Sequence, residues 1–120
     1  MWLQTSFGFF SIVQKRGDAG SGTLTVRARS AADLDRLRER FLPELEPTVA
    51  GAGTDYAYRA RAPRAAVARA AASMLEAIDY DNFKSAVGKT DRARAALYGE
   101  VWSVLARIDD SAPGGKIGKR

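Results

Sequence analysis

The stretch Thr23-Leu24-Thr25-Val26-Arg27-Ala28-Arg29-Ser30-Ala31-Ala32-Asp33 decides the fold. Leu24, Val26 and Ala28 fall on one face of an extended chain, and Thr25, Arg27 and Arg29 on the other. That period of two predicts an antiparallel strand with one buried face. Ser30-Ala31-Ala32-Asp33 then has the spacing of a capping box, with Asp33 in the place usually held by Glu. The helix it opens runs to about Phe41. Leu34, Leu37 and Phe41 form its core stripe, and Pro43 ends it.

Working outward, the same unit recurs downstream. Tyr56 to Arg61 alternates, with Tyr56, Tyr58 and Ala60 on one face and Ala57, Arg59 and Arg61 on the other. Pro63 suits the first turn of a following helix. That helix carries Val67, Ala71, Met74, Leu75 and Ile78 at i, i+4, i+7, i+8 and i+11. Upstream, aromatic and β-branched residues predict strands near 2–5 and 8–15 around a tight turn at Ser6-Phe7-Gly8. Arg16 to Gly22 reads as a flexible turn, and its Arg-Gly-Asp triplet as a hairpin loop. Pro47-Thr48-Val49-Ala50 is a short strand, followed by a turn at Gly51–Asp55.

After the junction Asp79-Tyr80-Asp81-Asn82-Phe83-Lys84, a short helix reaches Val87 and stops at Gly88. Thr90 or Asp91 caps a last helix to Ile108, with Leu97, Val101, Val104, Leu105 and Ile108 as its buried stripe and Tyr98 and Trp102 flanking it. The order is βββ-α-ββ-α-α. It predicts a two-layer α+β fold, a four- or five-stranded antiparallel sheet with helices on one face. Residues 1–108 form the expected single domain, and 109–120 a disordered basic tail.

Composition narrows the function. The 120 residues contain neither cysteine nor histidine. Disulfides, cysteine nucleophiles, histidine acid–base chemistry and nearly all zinc sites are excluded. No apolar run reaches 18 residues, so no membrane span is expected, and the opening residues lack a secretory pattern, which makes the cytoplasm the expected compartment. Net charge is +5. Lys116, Lys119 and Arg120 supply three of those charges, leaving residues 1–115 with sixteen cations against fourteen acids. That is a mixed surface rather than a basic stripe.

Five constellations could carry chemistry. Neighbouring strands would place Arg27, Arg29, Arg59 and Arg61 together on the face away from the helices, where they need anions. The junction residues Asp79, Tyr80, Asp81, Asn82 and Lys84 concentrate ionisable groups at a helix break, with Asp55, Tyr56 and Tyr58 as expected neighbours. Capping by Asp81 or Asn82 and packing by Phe83 explain that junction without a ligand. Gly51-Ala52-Gly53-Thr54 offers an anion nest, but it lacks the lysine and following helix of a phosphate loop. Gly8-Phe9-Phe10-Ser11-Ile12-Val13 has the aromatics of an RNA-binding strand, but Phe7 replaces the basic residue and core packing reads better. Trp2 and Trp102 read as core anchors, or as interface residues if exposed.

The patterns Trp2-Leu3-Gln4-Thr5, Phe7 to Val13, Leu24 to Arg29, Ala50 to Tyr56, Asp79 to Lys84 and Tyr98-Gly99-Glu100-Val101-Trp102 together resemble a family of short, uncharacterised bacterial proteins. The resemblance implies a bacterial, stand-alone domain and brings no activity or site residue. The residues themselves favour a non-enzymatic interaction module that binds an acidic protein partner through the arginine face. The alternatives are nucleic-acid binding by that face and the tail, and a carboxylate- or metal-based enzyme using Asp79, Asp81, Tyr56 and Arg59. No cofactor or metal is expected for the favoured reading, and pairing of sheet edges offers a route to a homodimer.

Overall fold

A computed structural model describes residues 1–51 and 55–109. The nest candidate at 51–54 and the tail beyond Asp109 therefore lie largely outside the described residues. The chain packs as two compact units, Met1–Asp79 and a second from Tyr80 onward.

The first unit is an α+β structure built on an open antiparallel sheet. Its strands are β1 (Trp2–Gln4), β2 (Phe9–Val13), β3 (Thr23–Ala28), β4 (Val49–Ala50) and β5 (Tyr58–Pro63), in the spatial order β1-β2-β3-β5-β4. Helix α2 (Ala31–Arg40) and helix α3 (Arg64–Glu76) both contact the central strands β3 and β5. Val26, Ala28, Ala60 and Ala62 supply the sheet side of the core, with Phe10 from β2. Leu34 and Leu37 meet them from α2, and Ala66, Val67 and Ala70 from α3. The alternation of the two strand–helix segments thus sets the inner face, because a strand shows every second side chain to one side.

Three elements depart from the expected pattern. Arg16 to Gly22 is not a flexible turn. It holds a four-residue helix, α1 (Asp18–Ser21), entered through Gly17 at φ +92°. A left-handed φ of that size favours glycine. Ser30 makes no side-chain cap on α2. Asp33 instead reaches across to accept from the Phe9 amide at 3.0 Å and pairs with Arg36, whose Nε donates to the Phe7 carbonyl at 2.7 Å. The first turn of α2 therefore clamps the β1–β2 hairpin. Leu75 in α3 and Ile78 just beyond its end are exposed instead of buried. Burial ends with Ala70 and the half-buried Met74, because the last turn of the helix runs past its apolar support.

The second unit contains helix α4 (Phe83–Gly88) and helix α5 (Arg92–Leu105). Asn82 Oδ1 accepts from the Ser85 amide and Asp91 Oδ1 from the Arg94 amide, both at 2.9 Å, so each helix has an N-cap. Phe83 stacks on Tyr98 with ring centroids 5.7 Å apart. Tyr98 is the buried residue of α5, whereas Leu97, Trp102, Val104, Leu105 and Ile108 are exposed. A six-residue helix is too short to cover the whole apolar stripe of a fourteen-residue neighbour.

The hairpin clamp makes a stability prediction. A Cβ on Gly8 would stand 2.7 Å from the Phe10 ring and 3.0 Å from the Asp33 carboxyl carbon. Phe10 is fully buried, so neither group has room to yield. Gly8→Ala is expected to cost about 1–3 kcal/mol in chemical denaturation. Gly20→Ala, which meets nothing within 4 Å, should leave the midpoint unchanged or raise it.

Candidate functional site

The outer face of the sheet, opposite α2 and α3, gathers the polar side chains. Strand register aligns Trp2, Ser11, Arg27, Arg59 and Val49 in one row across all five strands. The neighbouring row aligns Val13, Thr25 and Arg61. Three of the four candidate arginines therefore stand on adjacent positions of β3 and β5, as the alternation predicts, and Arg29 follows at the end of β3.

Arg27 lies directly opposite Arg59, an arrangement that repels unless the charges are engaged. Arg27 donates to Ser11 Oγ at 2.6 Å, and its guanidinium sits 4.7 Å from the Tyr56 ring centroid. Its Nε is buried with no hydrogen-bond partner among the described residues. Arg29 lies 4.5 Å from the same ring and donates to the Asp55 carbonyl at 2.7 Å. Tyr56 thus carries two guanidinium groups and is itself only 6% exposed. This corrects the expected placement of Tyr56 beside Tyr58 on the inner face. β5 begins at Tyr58, so the strand alternation does not extend back to Tyr56.

The anion that Arg61 requires comes from Asp18, which sequence reasoning missed. The Asp18 carboxylate is 1% exposed and takes four donors. Oδ1 accepts from Thr23 Oγ1 at 2.6 Å and Arg61 Nε at 2.9 Å. Oδ2 accepts from the Lys15 amide at 2.7 Å and Thr25 Oγ1 at 2.8 Å. Burial alone would raise its pKa. The bonds from Thr23, the Lys15 amide, Thr25 and Arg61 outweigh burial and hold the carboxyl far below the usual carboxylate range. The one sequence signal was the pair of hydroxyl residues, Thr23 and Thr25, on the outward side of β3. Such residues suit the coordination of a buried carboxylate.

Beside this network lies a cleft of about 230 Å³. Lys15, Arg16, Arg59 and Arg61 bring four cations to its walls, against the carboxylates of Asp18 and Glu46. Pro47, Val49 and Thr25 complete the lining. Four cations against two carboxylates leave the lining with a net charge of +2, and because Arg61 is paired with Asp18 that excess lies with Lys15, Arg16 and Arg59. A concave site lined by one sign of charge focuses that field on a counter-ion.

The remaining candidates are not among the residues lining the cleft. Asp55 is exposed and its carbonyl serves Arg29. Tyr58 is half-buried against the apolar core. Asp79 and Asp81 are exposed, the Tyr80 ring lies tilted against Phe83 with centroids 6.0 Å apart, Asn82 caps α4, and Lys84 is exposed. Among the described residues no group of three or more acidic side chains is placed to hold a metal ion. Trp2 is 64% exposed, not a core anchor, because Leu3 takes the inward position on β1. Its ring meets Phe9 edge-to-face at 5.4 Å. Trp102 is exposed as well. No helix among the described residues is long and apolar enough to cross a membrane. Compared with known protein families, curated proteins and solved structures, the chain matches none.

The Asp18 network makes a pH-dependent prediction. Its folded pKa lies below the ordinary value of 3.8, so its stabilisation is complete only above about pH 5. That stabilisation is lost as pH falls toward the lower, folded value. Asp18→Asn places an amide nitrogen against donors and removes the partner of Arg61. It should cost about 3 kcal/mol at pH 7. Thermal melts should show a deficit on the order of 10–20 °C at pH 7 that narrows as pH drops below about 4.

Proposed function

We propose that the first unit is a non-enzymatic interaction module that binds acidic protein segments on the outer face of its sheet. The observation that carries this reading is the cleft, which Lys15, Arg16 and Arg59 line beside the Asp18–Arg61 ion pair. Guanidinium groups offer forked donors that match a carboxylate. The cleft volume suits a side-chain carboxylate rather than a whole cofactor, since ligand pockets for larger molecules run to roughly 300–1,000 Å³.

Single-stranded nucleic acid is the alternative for a basic sheet face. It binds best where successive bases find aromatic surfaces on which to stack. On this face Tyr56 is covered by Arg27 and Arg29, and Trp2 is the one largely exposed aromatic among the described residues of the unit. The charge pattern suits both ligands, but the scarcity of stacking surface favours the peptide.

The test is fluorescence anisotropy with fluorescein-labelled hexaglutamate and, in parallel, labelled single-stranded oligo-dT of equal charge. Hexaglutamate should bind with an affinity that falls as salt rises. Arg59→Glu and Arg16→Glu should each weaken it at least tenfold. Arg16 is an exposed loop residue, so its reversal leaves the fold intact. Tighter binding of oligo-dT that the same variants abolish would transfer the function to nucleic acid. Absence of hexaglutamate binding would overturn the proposal.

A further inference from the structure

The outer face has a second feature that the cleft does not use. Trp2 and Phe9 form an aromatic pair at the β1 side of the sheet, and Trp2 stands in the same cross-strand row as Arg59. An exposed tryptophan supported edge-to-face by a half-buried phenylalanine is a rigid apolar surface. Such anchors are common at protein interfaces, where one large ring is desolvated at low entropic cost. Between the two ends the face is polar and cationic. Ser11 and Arg27 occupy the middle of the row, and Arg27 is held in place by Ser11 Oγ and the Tyr56 ring.

Resting on the acidic-segment reading above, we infer that the segment recognised is an extended acidic peptide carrying an apolar or aromatic residue about four positions from the carboxylate that enters the cleft. The spacing comes from the sheet. Trp2 on β1 and Arg59 on β5 are three strand intervals apart in the order β1-β2-β3-β5. At about 4.8 Å per interval that is roughly 14 Å. An extended peptide crossing the strands advances about 3.4 Å per residue, so about four residues span it. The carboxylate end meets the excess cations of the cleft, and the apolar end covers the part of Trp2 that faces solvent. The charge of the face selects an acidic ligand, and Trp2 adds a requirement that charge alone does not impose.

Three acetylated hexapeptides test this by displacing fluorescein-hexaglutamate: Glu-Glu-Ser-Gly-Ser-Phe, its variant with serine in place of phenylalanine, and Glu-Glu-Phe-Ser-Gly-Ser. The first should compete about tenfold better than the second, and the third should gain much less. Trp2→Ala should erase the advantage of the first peptide while leaving hexaglutamate affinity unchanged. As a second readout, Trp102→Phe leaves Trp2 as the sole tryptophan, and its emission should shift to shorter wavelength with the first peptide only. Equal competition by the first two peptides, or an advantage that survives Trp2→Ala, overturns the inference while hexaglutamate binding upholds the cleft. Loss of hexaglutamate binding itself overturns the reading on which the inference rests. A fluorescence shift absent on saturation overturns it independently of how Trp2→Ala folds.

Discussion

The structure of the outer face depends on the buried carboxylate of Asp18. A lone ionised carboxylate at 1% exposure would be costly, and here four donors saturate it. Two are hydroxyls of β3, one is the guanidinium of Arg61 on β5, and one is the amide of Lys15. The same oxygen atoms therefore join α1, the two central strands and the loop that carries Lys15 and Arg16. Those two residues reach the rim of the cleft because their loop is held by the Lys15 amide. The site's excess charge and its most important structural anion are parts of one network.

The inner face provides the rigidity that such a network requires. At the sheet's centre its residues are small: Ala28, Ala60 and Ala62 face Ala66 and Ala70 of α3. Alanine brings little side-chain entropy to lose, and a helix can approach an alanine-lined sheet closely. Volume comes from the side, where Phe10, Leu34, Leu37 and Leu42 are buried, and from Phe7, whose ring lies 5.8 Å from Phe10 and 5.4 Å from Phe41. Arg69 adds an outer tie, donating to both carboxylate oxygens of Glu44 at 2.5 and 2.6 Å. The core cluster occupies one side of the sheet, and the other side carries the arginines together with Trp2, Phe9, Val13 and Val49.

The alternation in β3 and β5 was legible because it is a local property: a strand shows every second residue to one side, whatever surrounds it. The arginine face and the antiparallel sheet followed from it. Asp18 was not legible. It sits among glycines and small residues that mark a loop, and its partners Thr25 and Arg61 lie 7 and 43 residues away. Tyr56 was misplaced because the periodicity was extended two residues beyond the start of β5. The stripe on α5 was correctly periodic but wrongly buried. Periodicity reports that a face is apolar, and burial also needs a neighbour long enough to cover it. Trp2 failed for the converse reason. Its size suggested the core, whereas its register beside Leu3 put it on the outer face.

The opposition of Arg27 and Arg59 gives the site its physical character. Two guanidiniums opposite each other across adjacent strands would repel if left bare, and Arg27 is engaged by Ser11 Oγ and by the Tyr56 ring. On the proposed reading, an acidic ligand would add a counter-charge beside this pair. On that same reading, this register concentrates cationic donors where an acidic ligand would sit.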